Sequence, residues 1–131
     1  METNLHGRET ILVVEDESTI LQLARMMLER LGYKVITAST PEEAIRIATE
    51  FQDEIDLLVT DVVMPGMNGS ELATYLLSIY PNLKNLFMSG YTSKVIARHG
   101  VVDPDGHFIQ KPFTHQDLAA KVHDILHEGK A

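Results

Sequence analysis

Cysteine is absent from all 131 residues, so neither a disulfide framework nor a thiolate zinc site can form, and a reducing cytosol suits such a chain. Long apolar runs are missing too. None approaches the roughly 20 residues needed to span a bilayer, and Met1 to Arg8 is too polar for a signal peptide, so the expectation is a soluble, cytoplasmic protein. Positive charge is scarce: eleven basic residues face nineteen acidic ones, and the net charge of -8 opposes a polyanionic partner, which argues against nucleic-acid binding. A glycine-rich turn after the first apolar run is also lacking. Glu15-Asp16-Glu17-Ser18 stands there instead and would meet a pyrophosphate with negative charge, which excludes a dinucleotide or flavin module. No internal repeat or low-complexity tract is visible, and the length suits a single core burying roughly two thirds of the unfolded surface.

What is present is organised around Ile55 to Gly69, an apolar run that ends in one carboxylate, Asp61, and passes into a loop punctuated by Pro65, Gly66 and Gly69. An apolar run of strand length stopping at a charge reads as a buried strand delivering one side chain to a sheet edge. Taken alone, such an aspartate more often closes a strand by accepting hydrogen bonds from turn amides. The rest of the chain reverses that reading.

Residues 1–9 are polar and without periodicity, a lead-in or linker; residues 10–128 form the domain and residues 129–131 a tail. Thr10 to Val14 is apolar or β-branched throughout, as a strand covered on both faces would be. From Ser18, Ile20, Ala24, Met27, Leu28 and Leu31 recur at helical spacing before Gly32, a C-terminal cap. Lys34 to Ala38 alternates and carries a lysine, which suits an edge strand. Thr40, Pro41 and Glu43 open a second helix with Ala44, Ile45, Ala48 and Phe51 on its buried face. After the Asp61 strand, Leu72, Leu76 and Ile79 mark a third helix that Pro81 terminates. Leu86 to Met88 is a strand ending at Ser89-Gly90, Thr92 to His99 a short helix, and Val101 to Gly106 a loop. Phe108-Ile109 is a short strand ending in Gln110-Lys111-Pro112, and Thr114 caps a last helix carrying Leu118, Val122, Ile125 and Leu126.

Five strands alternating with five helices predict an α/β, doubly wound parallel sheet in the order 2-1-3-4-5, with helices on both faces. Right-handed crossovers then bring every strand's carboxyl end to one edge. There the first strand delivers Glu15 and Asp16, the third Asp61, the fourth Ser89 and the fifth Lys111. Carboxylates so close repel by about 4 kcal/mol per pair at 4 Å and an effective dielectric near 20, which a hard cation would relieve. Oxygen ligands without histidine or thiolate favour Mg2+. Lys111 can hold a phosphoryl oxygen and Ser89 can donate to another, so the set describes phosphoryl transfer to Asp61.

These residues resemble the response-regulator receiver family from about Thr10 to Leu126. The motifs that carry the likeness are Glu15-Asp16, Asp61 followed by Met64-Pro65-Gly66 and Gly69, Ser89-Gly90, and Lys111-Pro112-Phe113. The resemblance implies a phosphoacceptor at Asp61 and Mg2+ held directly by Asp16 and Asp61, with Glu15 acting through water and the Val63 carbonyl as a further ligand. It implies a cis bond before Pro112 and a switch formed by Ser89 and Phe108, which alters the face made by the helix from Thr92, the strand at His107 and the last helix. A histidine kinase or histidine phosphotransfer domain is the implied partner. The run from Ser89 to Phe113 looks most like receiver modules of hybrid sensor kinases. Val63 and Tyr91 depart from a polar, open pocket and imply a long-lived phosphoryl state.

Two other readings are weaker. A Mg2+-dependent phosphohydrolase would ordinarily carry a second aspartate two residues after the nucleophile, where this chain has Val63. His123 and His127 stand one helical turn apart, but no third metal ligand is evident and a late-helix histidine suits the helix dipole. No stand-alone turnover enzyme is expected. With Ala131 soon after the last helix, the expectation is a shuttle or inhibitor acting through contacts, or a module of a longer kinase.

Overall fold

The computed structural model describes residues 8–51, 53–62, 66–89, 107–111 and 113–127. Its elements are β1 (Thr10–Val14), α1 (Ser18–Arg30), β2 (Lys34–Ala38), α2 (Pro41–Glu50), β3 (Leu57–Asp61), α3 (Gly69–Leu77), β4 (Lys84–Ser89), β5 (His107–Gln110) and α4 (His115–Leu126). The helix expected from Thr92 to His99 and the loop from Val101 to Gly106 lie outside the described residues, as does Pro112.

The five strands form one sheet in the order β2-β1-β3-β4-β5, and every adjacent pair is parallel. Because side chains alternate along a strand, the apolar runs of β1 and β3 feed two cores at once. Ile11, Val13, Leu57 and Val59 pack under α1 and α4 with Leu28, Leu118 and Val122. Leu12, Val14 and Leu58 pack on the opposite face under α2 and α3 with Ala44, Leu72 and Leu76. Leu12, Leu28, Leu58, Leu72, Leu76 and Leu118 are wholly buried or nearly so, each contributing about 1.5–3 kcal/mol relative to exposure. At the free edge Lys34 is exposed, as its place in β2 leads one to expect.

Local chemistry sets the element ends. Thr40 accepts a hydrogen bond from the Glu43 amide, while reciprocal capping boxes join Asn68 to Glu71 and Thr114 to Asp117. Gly32 stops α1 in a left-handed conformation, φ 95°, open to glycine at little cost. Helix α1 buries Leu21, Ala24 and Leu28 against the sheet and half-buries Ile20, Met27 and Leu31. One expectation is corrected. Ile79 lies beyond α3 and is 38% exposed, because bonds from Ser78 to Tyr75 and from Ile79 to Leu76 tighten the last turn. Tyr80 takes the buried place instead, its hydroxyl donating to the Ala48 carbonyl at 2.7 Å.

The amino edge of the sheet is laced together. Asp56 accepts from the Thr10 amide through its carboxylate at 2.9 Å and from the Lys84 amide through its carbonyl at 3.1 Å. The Lys84 ammonium donates to the Ile125 carbonyl near the end of α4 at 3.0 Å. The opposite edge is left for chemistry.

Candidate functional site

Each strand brings its residue to the carboxyl edge by register. Asp61 is the last residue of β3 and lies opposite Met88, and Ser89 closes β4 opposite Gln110 of β5. The chain past Asp61 is fixed from two sides: the Val62 amide donates to the Met88 carbonyl at 3.0 Å, and the Gly69 amide to the Val62 carbonyl at 2.8 Å. Lys111 follows β5, anchored by its amide on the Ser89 carbonyl at 2.8 Å.

These constraints assemble a compact charged cluster. The Lys111 ammonium lies 2.8 Å from Glu15 Oε1 and 2.5 Å from Asp61 Oδ1. Glu15 is wholly buried, and its second oxygen accepts from the Glu17 amide at 3.0 Å. Asp61 is 4% exposed, whereas Asp16 is open to solvent. Ligand oxygens of Glu15, Asp16 and Asp61 all lie within 4.8 Å of one another. Ser89 is buried at the same edge, and Phe108 is half-buried against the core under α2 and α3. Val63, the other expected ligand, and Tyr91 fall outside the described residues.

Charge in this cluster is rationed. Burial, reinforced by the hydrogen bond and repulsion from Glu15, pushes the Asp61 carboxyl up to about 8, despite the pull of Lys111. Burial would raise Glu15 as well, but hydrogen bonds with Asp61, Lys111 and the Glu17 amide hold it below its ordinary value. Burial would depress Lys111, but its bonds to Asp61 and Glu15 outweigh that and hold it above. Without a further cation, the buried trio thus favours Glu15 as carboxylate, Lys111 as ammonium and a proton held toward Asp61.

The expected acids and lysine are brought together by the fold, which also gives two features a physical role that their place in the sequence did not explain. One is the ion pair of Lys111 with Glu15, residues 96 apart in the chain and joined only by the sheet order. The other is Gly69, where an added Cβ would stand 2.2 Å from the Asp61 carbonyl oxygen, so glycine alone lets α3 start against the end of β3. Glycine after an aspartate loop is the signal that could have pointed to such a close approach.

A doubly wound sheet with carboxylates and a lysine gathered at its carboxyl edge defines a class of phosphoryl-accepting signalling domains. The match to known proteins is more specific: the description "Response regulator receiver domain" fits residues 11–123, and the chain belongs to that family, whose members work in two-component signal transduction. The sensor kinase CckA of Brucella abortus (strain 2308) is 38% identical over 124 residues, 95% of this chain and 13% of that protein. The receiver protein CpdR of the same strain is 31% identical over 116 residues, covering 88% of this chain and 95% of that one. Among solved structures, a response regulator receiver protein from Sinorhizobium medicae WSM419 is similar with a TM-score of 0.80, at 29% identity over 92% of this chain and 96% of that one. The receiver domain of the hybrid histidine kinase CckA is similar with a TM-score of 0.68, at 34% identity over 89% and 98%. The chain thus spans a small part of one curated relative and nearly all of another.

Proposed function

We propose that Asp61 is the phosphoacceptor, taking a phosphoryl group from a phosphohistidine with Mg2+ as cofactor. In that reaction an Asp61 oxygen attacks phosphorus, the phosphorus–nitrogen bond breaks, and the imidazole leaves and takes up a proton. The observation that carries the reading is the gathering of Glu15, Asp16 and Asp61 around an all-oxygen centre with Lys111 beside it. Such a donor set fits Mg2+, which Asp16 and Asp61 would hold directly and Glu15 through water, and by the family resemblance the Val63 carbonyl would add a further oxygen. When bound, Mg2+ supplies charge neutralisation at the phosphoryl oxygens. Lys111 is poised to exchange Asp61 for a phosphoryl oxygen, and Ser89 offers a hydroxyl at the same edge.

A second apolar stripe on α1 supports a protein donor. Ile20, Leu23 and Met27, with Glu17, Lys111 and Phe113, line a groove of about 390 Å³ beside the cluster, and Leu23 is 48% exposed although apolar. That is a seat for a helix bearing the donor histidine of a kinase or phosphotransfer domain, and the cytoplasm is the fitting compartment. Among the described residues no helix is long and apolar enough to cross a membrane.

The test is a small phosphodonor with Mg2+, read by intact mass. One phosphoryl group should be added, Asp61→Asn should abolish it with the fold intact, and Asp16→Ala should weaken Mg2+ binding. Undiminished labelling of the Asn variant at another residue sinks the assignment. For signalling, phosphorylation adds about two negative charges at Asp61 and draws Ser89 toward it, letting Phe108 turn inward. A tenfold shift between conformers needs only about 1.4 kcal/mol, within reach of one charge-assisted hydrogen bond. Identical amide spectra around β5 and α4 with and without a phosphoryl mimic would rule out that switch.

A further inference from the structure

Lys111 belongs to two places at once. Its ammonium pairs with Asp61 Oδ1 at 2.5 Å and Glu15 Oε1 at 2.8 Å, and its side chain also lines the groove of about 390 Å³ beside α1. Glu17 is a second tie: it lines the same groove, and its amide donates to Glu15 Oε2 at 3.0 Å. The groove therefore opens directly from the charged cluster. Beyond these two residues its walls are apolar, with Ile20, Leu23 and Met27 from α1 and Phe113 from the link between β5 and α4. Leu23 is 48% exposed and the other three are half-buried, so the apolar walls are open to a ligand from solvent. A volume of this size lies at the lower end of what holds a small molecule.

We propose that this groove is a leaving-group subsite for small phosphodonors, and that the donors it takes best are acyl phosphates carrying an apolar alkyl chain. The inference rests on Asp61 being the phosphoacceptor. Lys111 meets the phosphoryl oxygens, while the acyl chain lies along Ile20, Leu23 and Met27. An Asp61 oxygen attacks phosphorus, the bond from phosphorus to the acyl oxygen breaks, and that oxygen departs with the electron pair as part of a carboxylate. No proton is needed for this departure, so apolar walls need supply none. Charge selects against donors whose leaving group is already anionic, since these would bring more negative charge to Glu17 and to a chain of net charge -8. Burial of the acyl chain holds the donor at the reacting carboxylate and so raises the rate constant at low donor concentration.

The experiment phosphorylates the full chain in Mg2+ with acetyl, butyryl and hexanoyl phosphate, whose leaving carboxylates are alike in basicity and differ in chain length. Intact mass followed over time gives an apparent second-order rate constant for each donor. The constant should rise along the series by about tenfold or more from acetyl to hexanoyl, equivalent to about 1.4 kcal/mol. Leu23→Ser, at the surface, should cut the hexanoyl-to-acetyl ratio by about threefold or more, and because the ratio is taken within one protein any general loss of activity cancels. Leu77→Ser removes an apolar side chain of similar exposure, 44%, from α3 and should leave the ratio as it is. A flat series in the natural chain, a ratio unmoved by Leu23→Ser, or an equal fall in Leu77→Ser would overturn the subsite while labelling of Asp61 by acetyl phosphate leaves the phosphoacceptor reading intact. No labelling by any of the three donors would overturn both.

Discussion

Gly69→Ala is the substitution whose cost the geometry sets most directly. The added carbon would stand 2.2 Å from the Asp61 carbonyl oxygen and 3.1 Å from both the Asp61 carbonyl carbon and Thr60 Cγ2. Relief to ordinary contact requires the start of α3 and the end of β3 to part by about 1 Å. Neither yields readily: Leu72 and Leu76 hold α3 in the core, and β3 is buried between β1 and β4. Overpacking of this kind costs about 1–3 kcal/mol, and loosening the bond from the Gly69 amide to Val62 adds about 1 more. Alanine's better helix propensity returns at most about 1 kcal/mol, so a net loss of about 1–3 kcal/mol is expected, on the order of 10 °C in melting temperature at the upper end. Because the clash is with the backbone of Asp61, its carboxylate should also leave the reach of Lys111, slowing phosphorylation by a small donor. Urea unfolding gives the stability, and phosphoryl incorporation gives the rate. Gly66→Ala is the control: φ is 89° there, but the nearest contact is the Glu42 side chain at 3.6 Å, so strain appears without displacement of Asp61. Stability of Gly69→Ala within 0.5 kcal/mol of the natural chain would refute the reasoning, about the scatter of neutral surface changes.

Two further outcomes are expected. The folded Asp61 carboxyl, raised from 3.8 to about 8, binds a proton the unfolded chain has lost, so without metal its contribution is present in acid and is lost as pH rises from about 4 through 8. Denaturation in chelator should show stability falling over that window by no more than about 1.4 kcal/mol per pH unit, and Asp61→Asn should flatten the fall; an unaltered slope in that variant would remove Asp61 as its source. The resemblance implies that Val63 and Tyr91 flank the phosphoryl site, one without a polar side chain to orient a hydrolytic water and the other bulky; we propose on that ground that decay of the phosphoryl group in Mg2+ quickens by one or two orders of magnitude in the Val63→Asn, Tyr91→Glu double variant, about 1.4–3 kcal/mol of barrier. Equal or slower decay there would free these side chains of any part in the lifetime.

Strand identity and order were legible because two-sided burial writes itself as unbroken apolar runs, and Thr10–Val14 and Leu57–Asp61 are wholly buried. Asp61, Asp16 and Lys111 were legible because topology forces strand ends together. Ile79 misled because an apolar residue at helical spacing does not reveal that the turn beneath it has tightened, and Tyr80 offered the competing anchor. Helical spacing in α1 does not say which apolar residues face the sheet, since two apolar stripes share that helix and only packing tells the sheet-facing one from the groove-lining one. Glu15 and Asp16 stand side by side in sequence, and their spacing does not say that Glu15 is buried against Lys111 while Asp16 stays open to solvent.

The hydrogen bonds at the amino edge carry a consequence for how such a unit can be built into larger proteins. Thr10, where the sheet begins, is tied to Asp56, and Asp56 to Lys84, whose ammonium reaches Ile125 near the end of the last helix. Entry at the start of β1 and exit at the end of α4, beside the start of β4, therefore both lie at the pole opposite Asp61. A sequence joined at either side leaves without passing over the reacting carboxylate, and the unit can be spliced between other modules as a cassette whose working face stays clear.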